Sequence, residues 1–233
     1  MKKTFLVIGT GEFGYYLCKK LFELGYEIMA VDKDEKNIEM VLPFTVNSLI
    51  GDATNQEFLR SLEPADYDVC FVTVGDRFQD SLEITSLLKE NGAKRVVSRA
   101  SREIQKKFLL RNGADHVIYP EFEMANWAAI RFSAEGILDF IDLPGDNSIF
   151  EFAVPKDWEN KNILQIDVRK NYHVNVIGIV QDGKLSVDFD PATVLRAGDS
   201  IMVTGKDENI QKCFYMLVLR ILFQIFRQFR TGY

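Results

Sequence analysis

The chain has 233 residues, 47% of them hydrophobic, which is enough for one large domain or two small ones with real cores. Its 34 acidic and 28 basic side chains leave a net charge of −6, which argues against general affinity for nucleic acid or for an anionic membrane. Cys18, Cys70 and Cys213 are far apart and lack metal-ligand spacing, so they read as buried thiols of a protein in a reducing cytoplasm.

Met1-Lys2-Lys3 leads straight into a strand over 4–8, with no visible secretory signal. The glycine turn Gly9-Thr10-Gly11-Glu12-Phe13-Gly14 follows and fits G-x-G-x-x-G. A helix comes next, with Phe13, Leu17, Leu21 and Leu24 at helical spacing and Gly25 as its stop. A second strand over 27–31 ends in Asp32, 18 positions after Gly14. Each part has a physical job. Gly9 permits the tight turn, Gly11 lets a pyrophosphate approach the backbone, and Gly14 lets the helix pack close to the sheet. Free N–H groups and the positive dipole end at the helix start favour phosphate. Asp32 is placed to accept from the ribose hydroxyls and to repel a 2′-phosphate. Strand, turn, helix and acid together predict nucleotide binding.

Residues 34–41 predict a short helix and 45–50 a third strand, closed by Gly51-Asp52-Ala53-Thr54. Thr54 can cap the next helix. In a doubly wound sheet this loop lies beside the glycine turn, so Asp52 and Thr54 are candidates for the adenine side or, equally, a plain helix cap. The apolar run 68–74 is a buried parallel strand. A helix over 78–91 turns Leu82, Leu87 and Leu88 inward. A fifth strand spans 95–99, Ser101 caps a basic helix to Asn112-Gly113, and a sixth strand runs over 116–119 to Pro120. Six β–α alternations predict an α/β, Rossmann-like, doubly wound parallel sheet over 1–119. His116 and His173 read as strand-edge or loop residues.

Residues 120–141 predict a long crossover helix, apolar on more than one face through Phe122, Trp127, Ile130, Phe132 and Phe140. Such a helix is buried on two sides, against either a second subunit or the chain's own second domain. Leu143-Pro144-Gly145-Asp146-Asn147 reads as the domain boundary. Short strands over 149–154, 174–180, 184–189 and 200–204, with a short helix over 162–168 and an Asp182-Gly183 hairpin, predict a small α+β lobe spanning 142–213. It carries no glycine-rich loop and no catalytic dyad. The end, 214–233, is an apolar-basic tail whose Arg220 argues against a spanning helix. It could bind a partner helix, a membrane surface or another subunit.

This order of motifs resembles the RCK regulatory subunits of Ktr- and Trk-type potassium uptake systems over residues 4–213. Gly51-Asp52-Ala53-Thr54, Arg111-Asn112-Gly113-Ala114-Asp115 and Val194-Leu195-Arg196-Ala197-Gly198-Asp199 are similar to that family's signatures. The resemblance implies a cytoplasmic homodimer joined through the crossover helix. Such dimers assemble into an octameric ring beneath an integral membrane channel or transporter subunit. Adenine nucleotide (ATP, ADP, AMP or NAD(H)) would change ring shape and ion flux. Carried over by position, Gly9, Gly11, Glu12, Phe13 and Gly14 match the phosphate turn, and Asp32 with Lys33 the ribose end. Asp52, Ala53 and Thr54 match the adenosine loop, and Arg99 a basic position that meets phosphate. Glu121 matches a carboxylate that holds a cation at the dimer interface. Ile163, Asp167, Arg169, Asn175 and Pro191 correspond to a second site for cyclic di-AMP. One departure matters: Ktr-type members commonly carry Arg where this chain has Glu12. A carboxylate there repels a terminal phosphate, at a cost on the order of 1 kcal/mol if partly buried. It favours ADP, AMP or NAD(H) over ATP.

Two other functions compete. An NAD-dependent oxidoreductase would need an acid–base pair. Tyr15 with Lys19 and Tyr16 with Lys20 have the right spacing but lie on the helix after the phosphate turn, the wrong element for catalysis. A nucleotide sensor with a partner other than a channel is the third reading.

Overall fold

Strands that are apolar on both faces must be covered on both faces, and this dictates the first unit. In the computed structural model, which describes residues 2–75 and 77–213, β1 (Thr4–Ile8) and β2 (Glu27–Asp32) are buried along almost their whole length. They belong to a six-stranded parallel sheet with β3 (Asn47–Ile50), β4 (Val69–Val72), β5 (Val96–Arg99) and β6 (His116–Ile118), in the order β3-β2-β1-β4-β5-β6. Phe5 and Val7 point to one face, where α1 (Glu12–Glu23) and α2 (Glu35–Val41) supply Cys18, Leu21, Ile38 and Val41. Leu6 and Ile8 point to the other, against Leu59 of α3 (Gln56–Ser61) and Ile84 and Leu88 of α4 (Phe78–Glu90). Helix α5 (Glu103–Arg111) packs Leu109 beside Val117. The strand order reverses between β1 and β4, so the crevice expected to take a ligand lies at their carboxyl ends.

The chain divides into two units between Glu123 and Met124, inside α6 (Pro120–Ser133). The helix expected to run to residue 141 therefore stops eight residues short of it. Gly136, at φ +95°, turns the chain, and β7 (Ile137–Leu143) begins. A bulge between Ile137 and Asp139 explains the misreading. It breaks the period of two and leaves Ile137, Phe140 and Ile141 at helical spacing. The turn expected as the domain boundary is instead the loop joining β7 to β8 (Asn147–Ala153).

The second unit is a five-stranded antiparallel sheet, β10-β9-β11-β8-β7, completed by β9 (Asn175–Gln181), β10 (Lys184–Ser186) and β11 (Ser200–Lys206). Asp182 and Gly183 both have positive φ, the demand of the tight β9–β10 hairpin. The single short helix expected over 162–168 is two: α7 (Ile163–Ile166) and α8 (Val168–Tyr172), broken by Asp167 in the left-handed conformation. Asn162 and Gln165 form a reciprocal cap at the first. Helix α9 (Asp207–Cys213) closes the lobe. Inward residues of β8 alternate with outward ones and build the core: Phe150 stacks on Phe152 at 5.2 Å and on Phe140 at 5.5 Å. No helix among the described residues is long and apolar enough to cross a membrane. The tail expectations for 214–233 lie outside the described residues.

Phe150 is fully buried at the centre of this stack. Phe150→Ala is expected to cost about 3–5 kcal/mol of stability in the second unit, read by urea unfolding. An unchanged midpoint would place the core elsewhere.

Candidate nucleotide site

The glycine turn is built by close approach. Gly9 has φ +94°, and a Cβ there would stand 2.8 Å from the Val74 nitrogen. A Cβ on Gly14 would collide with the Gly9 carbonyl oxygen. Gly11 is different: a Cβ there would meet nothing within 4 Å. Nothing in the protein demands a glycine at position 11, and the space beside it is open. The backbone N–H groups of Gly11, Glu12, Phe13 and Gly14 donate to nothing among the described residues, and the first helical bond runs from Tyr15 to the Gly11 carbonyl. These features fit a phosphate. The hydroxyl of Thr73, just past β4, donates to the Gly9 carbonyl and pins the turn from behind.

Asp32 is engaged by the protein's own donors. Its Oδ2 accepts from the Thr10 amide at 2.6 Å, from the Thr10 hydroxyl at 3.3 Å and from Asn37 Nδ2 at 3.2 Å, while Oδ1 accepts from the Asp34 amide at 2.9 Å. Three of these bonds fall on Oδ2 and one on Oδ1, so Oδ1 keeps one acceptor position for a ribose hydroxyl, and a second hydroxyl would have to displace one of the longer bonds on Oδ2. Asp32 thus ties the end of β2 to the glycine turn.

The loops after β2, β3 and β4 converge on the same edge. Lys33 Nζ lies 3.9 Å from Asp80 Oδ2, in the first turn of α4, and Arg77 Nε lies 3.1 Å from the same oxygen. Asp52 Oδ1 accepts from the Thr54 hydroxyl at 2.7 Å and its amide at 2.9 Å. These bonds hold its carboxyl below the usual range, and the Lys33 and Arg77 charges push the same way. Thr54 does not cap α3. Asn55 does, accepting from the amides of Glu57 and Phe58, which leaves Thr54 turned onto Asp52. Ala53 is buried in the core beneath them. Ser101 likewise is no side-chain cap: Arg102 occupies that position of α5, and the Ser101 amide donates to Gln105.

Arg99, at the end of β5, reaches the glycine turn. Its guanidinium lies over the Phe13 ring, 5.8 Å from the centroid, and pairs with Glu121 in the first turn of α6. Glu12 is exposed at the start of α1. The set Gly9, Gly11, Phe13, Gly14, Asp32 and Arg99 is therefore brought together, with Thr10, Thr73 and Gly75 as participants that no motif announced. In the second unit, Asp167 bridges α7 and α8, Ile163 is half-buried against the core, and Pro191 lies exposed in a turn. Arg169 and Asn175 are exposed, and neither side chain makes a hydrogen bond or ion pair among the described residues. No group of three or more potential metal-ligating side chains occurs among the described residues. Burial raises all three thiols to about 12. Tyr15 packs edge-on against Phe44, and Tyr16 is exposed.

Comparison with known proteins gives the family. The TrkA-N domain matches residues 5–120 and the TrkA-C domain residues 149–217. Ktr system potassium uptake protein C of Bacillus subtilis is 31% identical over 91% of this chain and 96% of its own length. This chain belongs to the Ktr/Trk potassium-uptake family. Ktr system potassium uptake protein A of Bacillus subtilis is 30% identical over 90% of this chain and 95% of its length. The relatives are potassium uptake proteins of the Ktr system, and this chain shares a regulatory role in potassium transport rather than catalysis. Among solved structures, the GsuK RCK domain aligns with a TM-score of 0.67 at 18% identity, covering 94% of this chain and 48% of that one. The GsuK channel bound to NAD aligns with a TM-score of 0.67 at 16% identity, covering 93% and 39%. The family chain thus spans about half or less of those solved chains, and at this identity the likeness is one of fold.

Asp32→Ala is expected to lower both nucleotide affinity and stability, the latter by about 1–3 kcal/mol, because the Thr10 amide loses its acceptor. Calorimetry and urea unfolding of the same variant check this. Lost affinity at full stability would confine Asp32 to the ligand.

Proposed function

We propose that this chain is a cytoplasmic, nucleotide-gated regulatory subunit that controls an integral membrane potassium channel or transporter subunit through a change of shape. The reading rests above all on the glycine turn: the amides of residues 11–14 have no partner among the described residues, and the space beside Gly11 is open. The potassium-uptake relatives, and GsuK structures of the same fold bound to NAD and to ADP, support it. Ligand binding can bias such a subunit only by the difference in affinity between its two shapes, and no bond need be broken.

Glu12 sets the preference among adenine nucleotides. Its carboxylate stands at the first position of α1 and opposes an added terminal phosphate, so ADP, AMP and NAD(H) are preferred over ATP. The subunit dimerises through α6, where Met124, Trp127 and Phe132 remain 57%, 36% and 74% exposed. Dimers of this kind assemble into a ring against the membrane partner. In the second unit, exposed Arg169 and Asn175 are the polar contacts offered to cyclic di-AMP.

Calorimetry on the purified chain tests the first claim: ADP binds, and Glu12→Arg shifts preference toward ATP by about fivefold or more. Indifference to every adenine nucleotide would sink the reading. Trp127→Glu is expected to convert dimer to monomer in sedimentation, and a persisting dimer would move the interface off α6.

A further inference from the structure

A largely enclosed cation stands at the phosphate turn with its hydrogen-bonding capacity partly unused. Arg99 Nε is shut off from solvent and donates to nothing among the described residues, while Nη2 donates to Glu121 Oε1. The guanidinium is admitted by the bare backbone of Gly75, where a Cβ would stand 2.7 Å from Nη1. On its other side lies Phe13, whose own amide is one of the unpaired donors of α1. Arg99 therefore extends the row of amide donors with a charged fork of five N–H groups.

Glu121 is a replaceable partner. Its side chain is 53% exposed, against 19% for Arg99, and exposed ion pairs hold weakly. A phosphate carries more charge and accepts two parallel N–H donors from a guanidinium. Once released, Glu121 still sits in the first turn of a helix, where a carboxylate is favoured by the dipole and needs no other cation.

We propose that Arg99 exchanges Glu121 for a phosphate of the bound nucleotide, so that occupancy of the glycine turn unfastens the first turn of α6 from the end of β5. This rests on the nucleotide reading above. In the empty state the Arg99–Glu121 pair competes with the ligand, and that competition is the differential affinity by which binding acts on α6.

The test is a double-mutant cycle on the full chain, read by calorimetry with ADP. Glu121→Gln frees Arg99 and is expected to tighten ADP binding about threefold, a gain typical of removing an exposed competing pair. Arg99→Gln weakens binding, and in that background Glu121→Gln has no further effect. Hydrogen exchange at the first turn of α6 is expected to quicken on adding ADP to the wild type and to be quick without ADP in Glu121→Gln. Binding of ADP that is unchanged or weaker in Glu121→Gln overturns the exchange. So does an equal gain with and without Arg99, which would reflect only a lost negative charge. A wild-type chain that binds no adenine nucleotide removes the site itself, and the exchange with it.

Discussion

The carboxyl edge of the first sheet depends on how closely Gly14 of α1 approaches the Gly9 carbonyl. No side chain fits between them. That approach brings the start of α1 down onto the strand ends and orients its first amides outward together. Thr73 holds the same carbonyl from β4, and Asp32 holds the intervening Thr10 amide from β2. Three strands thus fix one turn, and the turn fixes the place where negative charge is welcome.

Charge around this edge is arranged in competing pairs. Asp80 holds Lys33 and Arg77, and Glu121 holds Arg99. Lys33, Arg77 and Arg99 each stand against a carboxylate. An anion entering here would have to rearrange those contacts before adding its own.

Much of this was legible from the residues. The parallel sheet follows from runs that are apolar on both faces, and the turn from three glycines at fixed spacing with an acid after the second strand. What was hidden has physical causes. The bulge at Ile137–Asp139 gave a strand the periodicity of a helix. Asp32 declares its charge in sequence, but not that Thr10, Asp34 and Asn37 already claim its oxygens. Arg99 and Glu121 stand 22 positions apart, and only the convergence of β5 with the start of α6 pairs them. The Arg99 guanidinium packs against the bare backbone of Gly75, and nothing in the local sequence announces that contact.

The buried sulfurs carry a last consequence. Burial pushes each thiol up to about 12, and the thiolate is the form that peroxide attacks. Cys18, Cys70 and Cys213 are therefore poor targets for oxidation while the cores stay closed around them, and they act as small apolar packing groups rather than as redox sensors.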